Sequence, residues 1–530
     1  MHGLRYIGDN SLHPAARIFW VIAFFWAAGC SAYFISNLFI KFHEMPVIMS
    51  ISPTSSTIRD IPFPAITICN MNNMRKQQVE HVQNLYELNK GNENLTGEVA
   101  LDYKLIFDYC NREPEEDIPI PSNVTTNWDY IKKFMIKMTQ PCHEMLVYCQ
   151  WHGDPVPCDE IFNPNLTDEG MCCVFNRLKR EFIFSNPKDV SDLNVTFPGE
   201  VYEWTPERGY PDGMSFDTVP RRARGSGTHL GLTIVADAEM QQYYCSSGNS
   251  KGFKILMSNP LETPKLMSFA VPLAPGSESK VIIVPKQVTS TKDLQSIAIE
   301  KRNCYFEAEK RLFFYKTYNQ RSCILECEAN YTIALCGCVQ YYMPKNETTR
   351  ICGRNDAKCA SNAQRKLDIS INDAFQNLSA KGIDVPICAC LPGCFELSYG
   401  FVLTSSPITT AFQIDQEMAG VKDTDYFSEN MGIIHFYYME KHFSGTVKGV
   451  LFGFTEFLSN TGGLLGLFMG FSVLSGVEIL YFLLIRVINL FSKVKGRPNQ
   501  SSKINTKNKT DYNFLNEHNQ VLENQYPFTQ

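Results

Sequence analysis

The chain has few histidines and no net positive charge. Its 530 residues include 10 histidines, and 49 lysines and arginines stand against 55 aspartates and glutamates, giving a formal net charge of −6. That balance excludes a globally basic nucleic-acid binder. The sequence also lacks a serine–histidine–aspartate order, a phosphate-binding glycine loop and a metal-spaced set of histidine and glutamate. We therefore expect no enzymatic activity, no catalytic residue, no bound metal and no cofactor.

Charged residues are nearly absent from two long stretches of the chain. Residues 18–40 contain none, and residues 449–491 contain only Glu456, Glu478 and Arg486. Because about 20 helical residues cross the hydrocarbon core of a bilayer, both stretches are long enough to span it. As one helix, the second stretch would be about 65 Å long. We therefore expect it to project beyond the bilayer or to break inside it.

The alternative for the first stretch is a cleaved signal peptide, because residues 27–32 are mostly small. The apolar run continues to Ile40, beyond any such cleavage site, which favours an uncleaved membrane anchor. After the second stretch, Lys493, Lys495 and Arg497 form a basic cluster typical of the cytoplasmic side. The polar tail that follows has too few apolar residues to fold alone. Both termini are therefore predicted to be cytosolic.

Cysteine is abundant between the two apolar stretches. Of the 19 cysteines, Cys30 lies in the first stretch and the other 18 lie between Cys69 and Cys394. An even number in one segment flanked by two spans predicts an oxidised extracellular domain. The alternative is zinc binding by closely spaced pairs, namely Cys323 with Cys327 and Cys336 with Cys338. Histidine is scarce near these pairs, which favours disulfides.

Asn-x-Ser/Thr sites support the same placement. Seven occur between the two stretches, and they are the predicted glycosylation sites: Asn94, Asn123, Asn165, Asn194, Asn330, Asn346 and Asn377. Two more, Asn499 and Asn508, follow the second stretch, and we expect them to stay unmodified in a cytosolic tail.

Local patterns predict a mixed α and β ectodomain without internal repeats. The predicted strands, rich in β-branched residues, are Ala65–Ile68, His229–Val235, Gly252–Met257 and Val281–Val284. The predicted helices are Trp128–Met138 and Ile371–Leu378. Residues 206–224 are predicted to be a turn-rich connection.

Small residues mark the middle of the second apolar stretch. On a helix, five of them fall within about one third of the circumference: Ser459, Gly462, Gly463, Gly466 and Gly470. One interpretation is a tightly packed contact between two helices. However, Ser472, Ser475 and Glu478 would lie on a different face of a continuous helix. The change of polar face at Gly470–Ser472 favours unwound backbone, whose free carbonyls would line a cavity.

Seven short motifs follow one another along the chain. They are His2-Gly3, Phe-Pro-Ala-Ile-Thr-Ile-Cys-Asn at 63–70, Ser-Cys-Ile-Leu-Glu-Cys at 322–327, Cys-Gly-Cys at 336–338, Tyr-Met-Pro at 342–344, Cys-Ala-Cys-Leu-Pro-Gly-Cys at 388–394 and Gly-Phe-Ser at 470–472. Taken in this order, they resemble the motifs of the degenerin/epithelial sodium channel family, and in particular its insect pickpocket branch. The resemblance covers nearly the whole chain.

The resemblance implies an α+β membrane protein in which two transmembrane helices flank a large, disulfide-rich ectodomain of clenched-hand shape. We expect five parts: a short cytosolic N-terminus (1–17), a first transmembrane helix (18–40), an extracellular cysteine-rich domain (41–448), a pore-lining second transmembrane helix with a Gly-Phe-Ser break (449–491) and a disordered cytosolic tail (492–530). Disulfide bonds are expected for most of the 18 cysteines of this domain, and eleven are candidates without assigned partners: Cys69, Cys304, Cys323, Cys327, Cys336, Cys338, Cys352, Cys359, Cys388, Cys390 and Cys394.

The resemblance also assigns roles to residues. Gly470, Phe471 and Ser472 match the selectivity filter. Gly466 matches the position that contacts amiloride, and Ser459 matches the degenerin position, where bulky side chains hold the pore open. The His2-Gly3 pair, preceded in this sequence only by Met1, matches a gating motif. Glu478 is a candidate for concentrating cations inside the pore; the alternative is an ion pair with a neighbouring helix.

The resemblance implies a subunit of a homo- or hetero-trimeric, voltage-independent, amiloride-sensitive sodium channel in the plasma membrane. Na⁺ is its permeant ion, and an extracellular chemical or mechanical stimulus is expected to open it. The alternative is a non-conducting or regulatory receptor subunit whose glycines serve only helix association. Two further sequence features bear on regulation. No Pro-Pro-x-Tyr sequence occurs in the tail, and residues 221–224 (Arg-Arg-Ala-Arg) form either a furin-like site or a solvated basic turn.

Overall fold

A computed structural model provides the structure. It describes residues 4–8, 12–44, 46–90, 97–110, 118, 128–186, 199–246, 248–346, 348–374, 388–408, 424–451, 453–470, 472, 477, 480–481 and 483–487. The chain divides into two compact units, one formed by Met1–Ile40 with Phe454–Gln530 and the other by Lys41–Gly453.

The first unit is helical in its described part. It contains α1 (Leu4–Gly8), most of α2 (Pro14–Glu44) and a C-terminal helix, α14 (Phe454–Met469). Within the described residues, α2 alone is long and apolar enough to cross a membrane, and its 31 residues include the predicted span 18–40. α14 has 16 residues, or about 24 Å of helix. A second spanning helix is therefore not seen in the described part.

The second unit is built from strands and mostly short helices. Its strands are β1 (Val47–Ile51), β2 (Ser56–Thr57), β3 (Ala65–Asn70), β4 (Asn72–Arg75), β5 (Leu146–Trp151), β6 (Asp154–Pro155), β7 (Phe162–Thr167), β8 (Gly170–Phe175), β9 (Leu232–Asp237), β10 (Tyr243–Ser246), β11 (Phe253–Ser258), β12 (Val271–Leu273), β13 (Ser277–Ser290), β14 (Glu396–Pro407), β15 (Met431–Tyr438), β16 (His442–Phe443) and β17 (Thr446–Val450). Its helices are α3 (Lys76–Asn89), α4 (Gly97–Tyr109), α5 (Trp128–Met138), α6 (Cys142–Met145), α7 (Cys158–Ile161), α8 (Arg180–Ile183), α9 (Leu266–Phe269), α10 (Ile299–Arg302), α11 (Gln320–Cys336), α12 (Ala357–Ala374) and α13 (Thr424–Asn430).

Two sheets enclose the main core. The larger has the order β1-β17-β13-β15-β9-β5-β6, with β14 also paired to β13, and the smaller has the order β12-β11-β3-β8-β7. Phe63 lies at the centre of this core and is 0% exposed. Its ring meets Trp151, Phe175 and Tyr438 edge-to-face at centroid distances of 5.0, 6.0 and 5.5 Å, a favourable aromatic geometry.

Two helical regions flank the sheets. α3, α4 and α5 share an apolar core that includes Val79, Leu101 and Phe134. α11 and α12 pack together around Tyr331, Ala363 and Leu367. The Asn319 side chain caps α11 by accepting a hydrogen bond from the Ser322 backbone N–H at 2.8 Å, which satisfies one of the helix's free donors.

The prediction of an oxidised ectodomain is confirmed. All 18 cysteines outside α2 form nine disulfides: Cys69–Cys172, Cys110–Cys245, Cys142–Cys173, Cys149–Cys158, Cys304–Cys394, Cys323–Cys390, Cys327–Cys388, Cys336–Cys359 and Cys338–Cys352. The four cysteines considered for zinc bond to other cysteines instead, so they offer no thiolate to a metal. Cys30 is the free cysteine.

Some of the predicted strands and helices are confirmed, and others have different bounds. The helix over Trp128–Met138 is confirmed, and three of the four predicted strands fall within or overlap β3, β11 and β13. The strand predicted from His229 begins later, at Leu232, because Thr228–Leu230 form a 3-10 turn. The helix predicted at Ile371–Leu378 begins much earlier, as α12, and its part beyond Ala374 lies outside the described residues.

The basic segment at 221–224 is buried at its centre, which argues against both a fully solvated turn and an accessible protease site in the folded chain. Arg222 is 8% exposed, and its guanidinium lies 4.5 and 4.7 Å from the ring centroids of Tyr210 and Phe216. The Arg221 carbonyl accepts a hydrogen bond from the Phe63 backbone N–H at 2.8 Å. Cation–π contacts and backbone pairing hold the centre of the segment inside, while the Arg224 side chain is exposed and donates to Asp217 at 2.8 Å. A protease needs an extended, open chain.

The predicted glycosylation sites that the structure describes differ in their exposure. Asn330 and Asn346 are exposed. Asn165 is 6% exposed, and its Oδ1 accepts a hydrogen bond from Arg177 at 3.2 Å. Burial of the Asn165 amide leaves no room for a glycan, so the structure argues against this site. The other four lie outside the described residues: Asn94, Asn123, Asn194 and Asn377.

Candidate pore-forming segment

The C-terminal helix α14 contacts α2 through aromatic side chains. The Phe468 ring stacks on Phe34 with a centroid distance of 5.7 Å, and Phe457 meets Phe39 at 6.3 Å. Phe457 and Phe468 are eleven residues apart, so they project from the helix within about 20° of each other. One face of α14 is therefore committed to the first apolar helix of the same chain.

The small residues occupy the opposite face of α14. Ser459, Gly462, Gly463 and Gly466 project about 140–240° away from Phe457, and all four are exposed in the single chain. Among the described residues outside the helix, no atom lies within 4 Å of where a Cβ would sit at Gly462 or Gly463. Within the described residues, Gly462 and Gly463 therefore do not mediate the contact with α2, and this face is exposed.

The helix ends where the sequence changes its polar face. α14 stops at Met469, and Gly470 has a φ of 58°. A left-handed residue just beyond a helix favours glycine, which has no Cβ to clash. The Gly470 N–H donates to the Gly466 carbonyl at 3.0 Å. By helix geometry, the last carbonyls of such a helix have no donor within it.

The described residues include part of the predicted site. Gly466, Ser459 and Gly470 belong to α14 or its end, and Ser472 is exposed beyond it. Phe471, Glu478, His2 and Gly3 lie outside the described residues. The predicted boundary of the second span at residue 449 falls inside β17, because residues 446–450 pair with a strand and α14 begins only at Phe454.

The strands next to the two apolar segments pair with each other. β1 begins three residues after α2 ends, and β17 ends four residues before α14 begins. The two strands are antiparallel, with Val47 opposite Val450 and Ile51 opposite Thr446. β17 also pairs in parallel with the end of β13. One sheet thus joins the chain segments that lead to both helices.

A buried charge marks this joint. Lys448 in β17 is 8% exposed, and burial lowers the pKa of its ammonium, while the nearby Glu396 carboxylate acts in the opposite direction. Burial also disfavours the charged form of Glu396 and so raises the pKa of its carboxyl. The hydrogen bond that this carboxylate accepts from the Gly393 backbone N–H lowers the pKa. The free energy of an ionised side chain buried in a low-dielectric sheet depends strongly on whether an opposite charge lies nearby.

The motif at 63–70 has a structural role in the ectodomain. Phe63 fills the core described above, and Cys69 bonds Cys172. The Asn70 side chain donates to Gln140 at 2.7 Å and to the Ala238 carbonyl at 3.0 Å. The motif therefore ties the smaller sheet to segments more than 60 residues away in sequence.

Sequence reasoning missed the aromatic face of α14. The spacing of Phe457 and Phe468, which places both on one side of a helix, was the available signal. Their partners Phe34 and Phe39 lie in α2, more than 400 residues away in sequence, and no local pattern reveals that pairing.

Comparisons with known proteins agree with the motifs. The sequence profile of the family described as amiloride-sensitive sodium channels matches residues 1–482. Pickpocket protein 28 of Drosophila melanogaster is 36% identical over 494 residues, covering 92% of this chain and 77% of the relative. The sodium channel protein Nach of Drosophila melanogaster is 23% identical over 91% of this chain and 84% of its own length. Acid-sensing ion channel 4-B of Danio rerio is 22% identical over 91% and 74%.

Proposed function

The chain belongs to the amiloride-sensitive sodium channel family, and we propose that it is a pore-forming subunit of a trimeric, voltage-independent sodium channel. This is a family of ion channels and not of enzymes, with Na⁺ as its permeant ion. The observation that carries the proposal is the free glycine face of α14, opposite the aromatic contact with α2. One face of the helix packs against α2, and its second face carries small, exposed residues. Such a helix can pack against identical helices in a ring.

Three copies of the segment would form the conducting path. Small residues at Ser459, Gly462 and Gly466 allow close approach of helices around an axis. The left-handed Gly470 ends the helix, so the carbonyls of its last turn can point to the axis. Such carbonyls replace part of the water shell of an ion. Gly470, Phe471 and Ser472 are the proposed filter, and Glu478 is the proposed charge below it.

The ectodomain would act on this path through paired strands. β1 and β17 lead to α2 and α14 and are hydrogen-bonded to each other, while β17 also pairs with the long strand β13. A displacement of β13 therefore reaches the entry to both helices. We propose that an extracellular chemical or mechanical stimulus opens the pore in this way, with Ser459 at the closed constriction and Gly466 at the amiloride position.

Membrane topology completes the proposal. The disulfides require an oxidising compartment, and the basic residues after position 491 fit the cytoplasmic side. We place residues 41–448 outside the cell, both termini in the cytosol and the protein in the plasma membrane. The trimer contains copies of this chain or of related subunits.

Voltage clamp tests the function. The chain is expressed alone and together with one pickpocket relative, and external Na⁺ is exchanged for K⁺ and then for N-methyl-D-glucamine. The proposal predicts a current that reverses at a more negative potential when K⁺ replaces Na⁺, with little dependence of opening on voltage. A chain that reaches the surface, carries no current alone and leaves the reversal potential of the co-expressed relative unchanged is a regulatory subunit, and the proposal then fails.

A further inference from the structure

The ectodomain contains a cavity that the proposed conducting path does not use. It has a volume of about 400 Å³ and lies between α5, the turn joining β7 and β8, and the segment at 340–357. Pockets for small organic ligands usually measure about 300–1,000 Å³. The cavity is therefore large enough for one small molecule.

Methionine is concentrated in the wall of this cavity. The chain has 18 methionines, and six of them line it: Met74, Met135, Met138, Met145, Met171 and Met267. Met138 and Met135 of α5 are 0% and 3% exposed, whereas Met267 of α9 is 66% exposed. Because thioether side chains are flexible and polarisable, such a wall adapts its shape to an apolar guest.

The polar groups of the wall are already engaged within the protein. The Asn70 amide donates to Gln140 at 2.7 Å, and the Gln140 amide donates to the Asp237 carbonyl at 3.1 Å. The Tyr341 hydroxyl donates to the Thr167 carbonyl at 2.7 Å. Among the residues that the structure describes, no buried polar side-chain atom of the wall lacks a hydrogen-bond partner. A guest therefore has no buried donor or acceptor to satisfy.

The carboxylates of the wall are engaged as well. Glu169 pairs with Lys254 at 2.6 Å, and Asp168 accepts hydrogen bonds from two backbone N–H groups of α9, each at 2.8 Å. Asp108 also has an interaction partner. A cation would lose its water shell here without gaining a free carboxylate, and an anion would be repelled. The wall therefore favours an uncharged guest.

The same hydrogen bonds favour the displacement of water by such a guest. An ordered water molecule in a protein interior usually makes about three hydrogen bonds. The engaged side chains leave few such partners among the methionines, so water is held weakly there. Replacing weakly held water by an apolar group increases affinity. A wall whose shape is fixed before binding also lowers the cost of binding.

We propose that this cavity binds a small uncharged molecule with an apolar body, of the size of a substituted benzene ring. Its body would lie among the methionines, in contact with α5 on one side and with the segment at 340–357 on the other. This inference goes beyond the proposed sodium conduction and does not depend on it, because binding is measured without current.

The start of α12 offers a position from which the cavity can be filled. Ala357 is the first residue of this helix, is exposed and lines the cavity. Ala357→Trp places an indole at the wall, and the exposed position accommodates the larger side chain. The matched control is Ser361→Trp, because Ser361 is also exposed on α12, one helical turn later, and is not part of the wall.

Photoaffinity labelling of the purified full-length chain in lipid nanodiscs tests the binding. The uncharged probe is 3-trifluoromethyl-3-phenyldiazirine, and its 4-aminomethyl and 4-carboxyl derivatives are the cationic and anionic probes. Mass spectrometry identifies the labelled peptides. We expect the uncharged probe to label the peptides that contain Met135 and Tyr341 saturably, and an excess of benzyl alcohol to compete. Labelling of these peptides by the charged probes should need concentrations about tenfold higher, because their charge is desolvated without compensation.

The variants separate a bound probe from a probe dissolved in lipid. Ala357→Trp should reduce labelling of the two wall peptides about tenfold, and Ser361→Trp should leave it unchanged. Labelling of the apolar helix α2 by the lipid-dissolved probe is the internal standard, and thermal melting of each variant controls for loss of fold.

Four results would overturn the proposal. They are no labelling of the wall peptides, labelling that neither saturates nor yields to benzyl alcohol, equal labelling by the charged probes, and undiminished labelling in a folded Ala357→Trp variant. Saturation and competition are measured on the unaltered chain, so the proposal stays testable if Ala357→Trp does not fold.

Discussion

At the scale of single residues, Ser459 carries the most direct consequence of the packing. It lies on the exposed glycine face of α14, opposite the contacts made by Phe457 and Phe468. In a closed ring of such helices, a Phe side chain at this position would overpack the contact, at a cost of about 1–3 kcal/mol. An open ring with more room would then be favoured.

We therefore expect Ser459→Phe to raise the resting sodium current of any assembly that conducts. Open probability in single-channel recording is the measurement. Leu467→Phe is the control, because Leu467 is 78% exposed, points away from the centre of the glycine face and is already large. An unchanged open probability in Ser459→Phe, at normal surface expression, would contradict the placement of this residue at the constriction.

Glu262 is a second residue with a measurable consequence. It follows β11 and has an Arg321 guanidinium 3.7 Å away. Burial raises the pKa of the Glu262 carboxyl from 4.5 to about 7, and Arg321 only partly offsets this. In the folded state the proton is therefore held more tightly than in the unfolded chain. Folding stability falls as pH rises from about 4.5 to 7, since ionisation then costs more in the folded state.

Glu262→Gln removes this penalty and should behave as an always-protonated carboxyl. Relative to wild type, we expect the variant's melting temperature to be similar at pH 5 and higher at pH 8, with a gain of order 1–3 kcal/mol. Glu80→Gln, an exposed carboxylate on α3, should show no such pH-dependent gain. The same melting difference at both pH values in Glu262→Gln would refute the role of burial.

At the scale of secondary-structure elements, prediction succeeded where the signal is local. The helix Trp128–Met138 was predictable from its apolar spacing, and β3 from its β-branched residues. The burial of Arg222 was not predictable. It depends on two aromatic rings, Tyr210 and Phe216, brought together by a segment without regular structure.

Part of the candidate site could likewise be predicted from the sequence, and part could not. The small residues of α14 and the change at Gly470 could be seen in the sequence, because helical spacing is a local property. The aromatic face that leaves the glycines free could not, because its partners lie in α2. Cysteine pairing was predicted in number but not in connectivity. Even neighbours such as Cys336 and Cys338 bond residues 23 and 14 positions away.

The cap of α11 gives an element-scale test. Asn319 accepts a hydrogen bond from the Ser322 N–H at 2.8 Å. We expect Asn319→Ala to destabilise the ectodomain by about 1 kcal/mol, measured by chemical denaturation, because one N-terminal donor of the helix loses its partner. Asn319→Asp keeps an acceptor in place and should lose less. Equal losses in the two variants would show that the hydrogen bond is not the cause.

At the scale of the whole molecule, the large cysteine-rich unit is extracellular in the proposed topology. Glycosidase treatment of the full-length protein from cells should lower its apparent mass, since glycans are added on the luminal side. Asn330→Gln and Asn346→Gln should each reduce the shift, because both residues are exposed. Asn165→Gln should leave it unchanged, because Asn165 is buried. A glycan on Asn499 or Asn508 would contradict the cytosolic assignment of the tail.

If the end of α14 forms the conducting path, as proposed, small changes there have different effects from those in a helix that only associates. A filter depends on the dimensions of a ring of backbone groups, so small changes in that ring alter permeation. Association depends on summed packing, so the same small changes alter assembly. Gly470 and Ser472 are the residues at which the two interpretations separate.

The decisive measurement is the reversal potential in mixed sodium and potassium for Gly470→Ala and Ser472→Cys, with surface biotinylation as control. If these residues form the filter, we expect both variants to reach the surface as oligomers and both to shift the sodium-to-potassium permeability ratio or the conductance. Gly470→Ala does so because a Cβ disfavours the φ of 58° at this residue. Unaltered selectivity and conductance in both variants, at normal surface levels, would contradict the assignment of the filter.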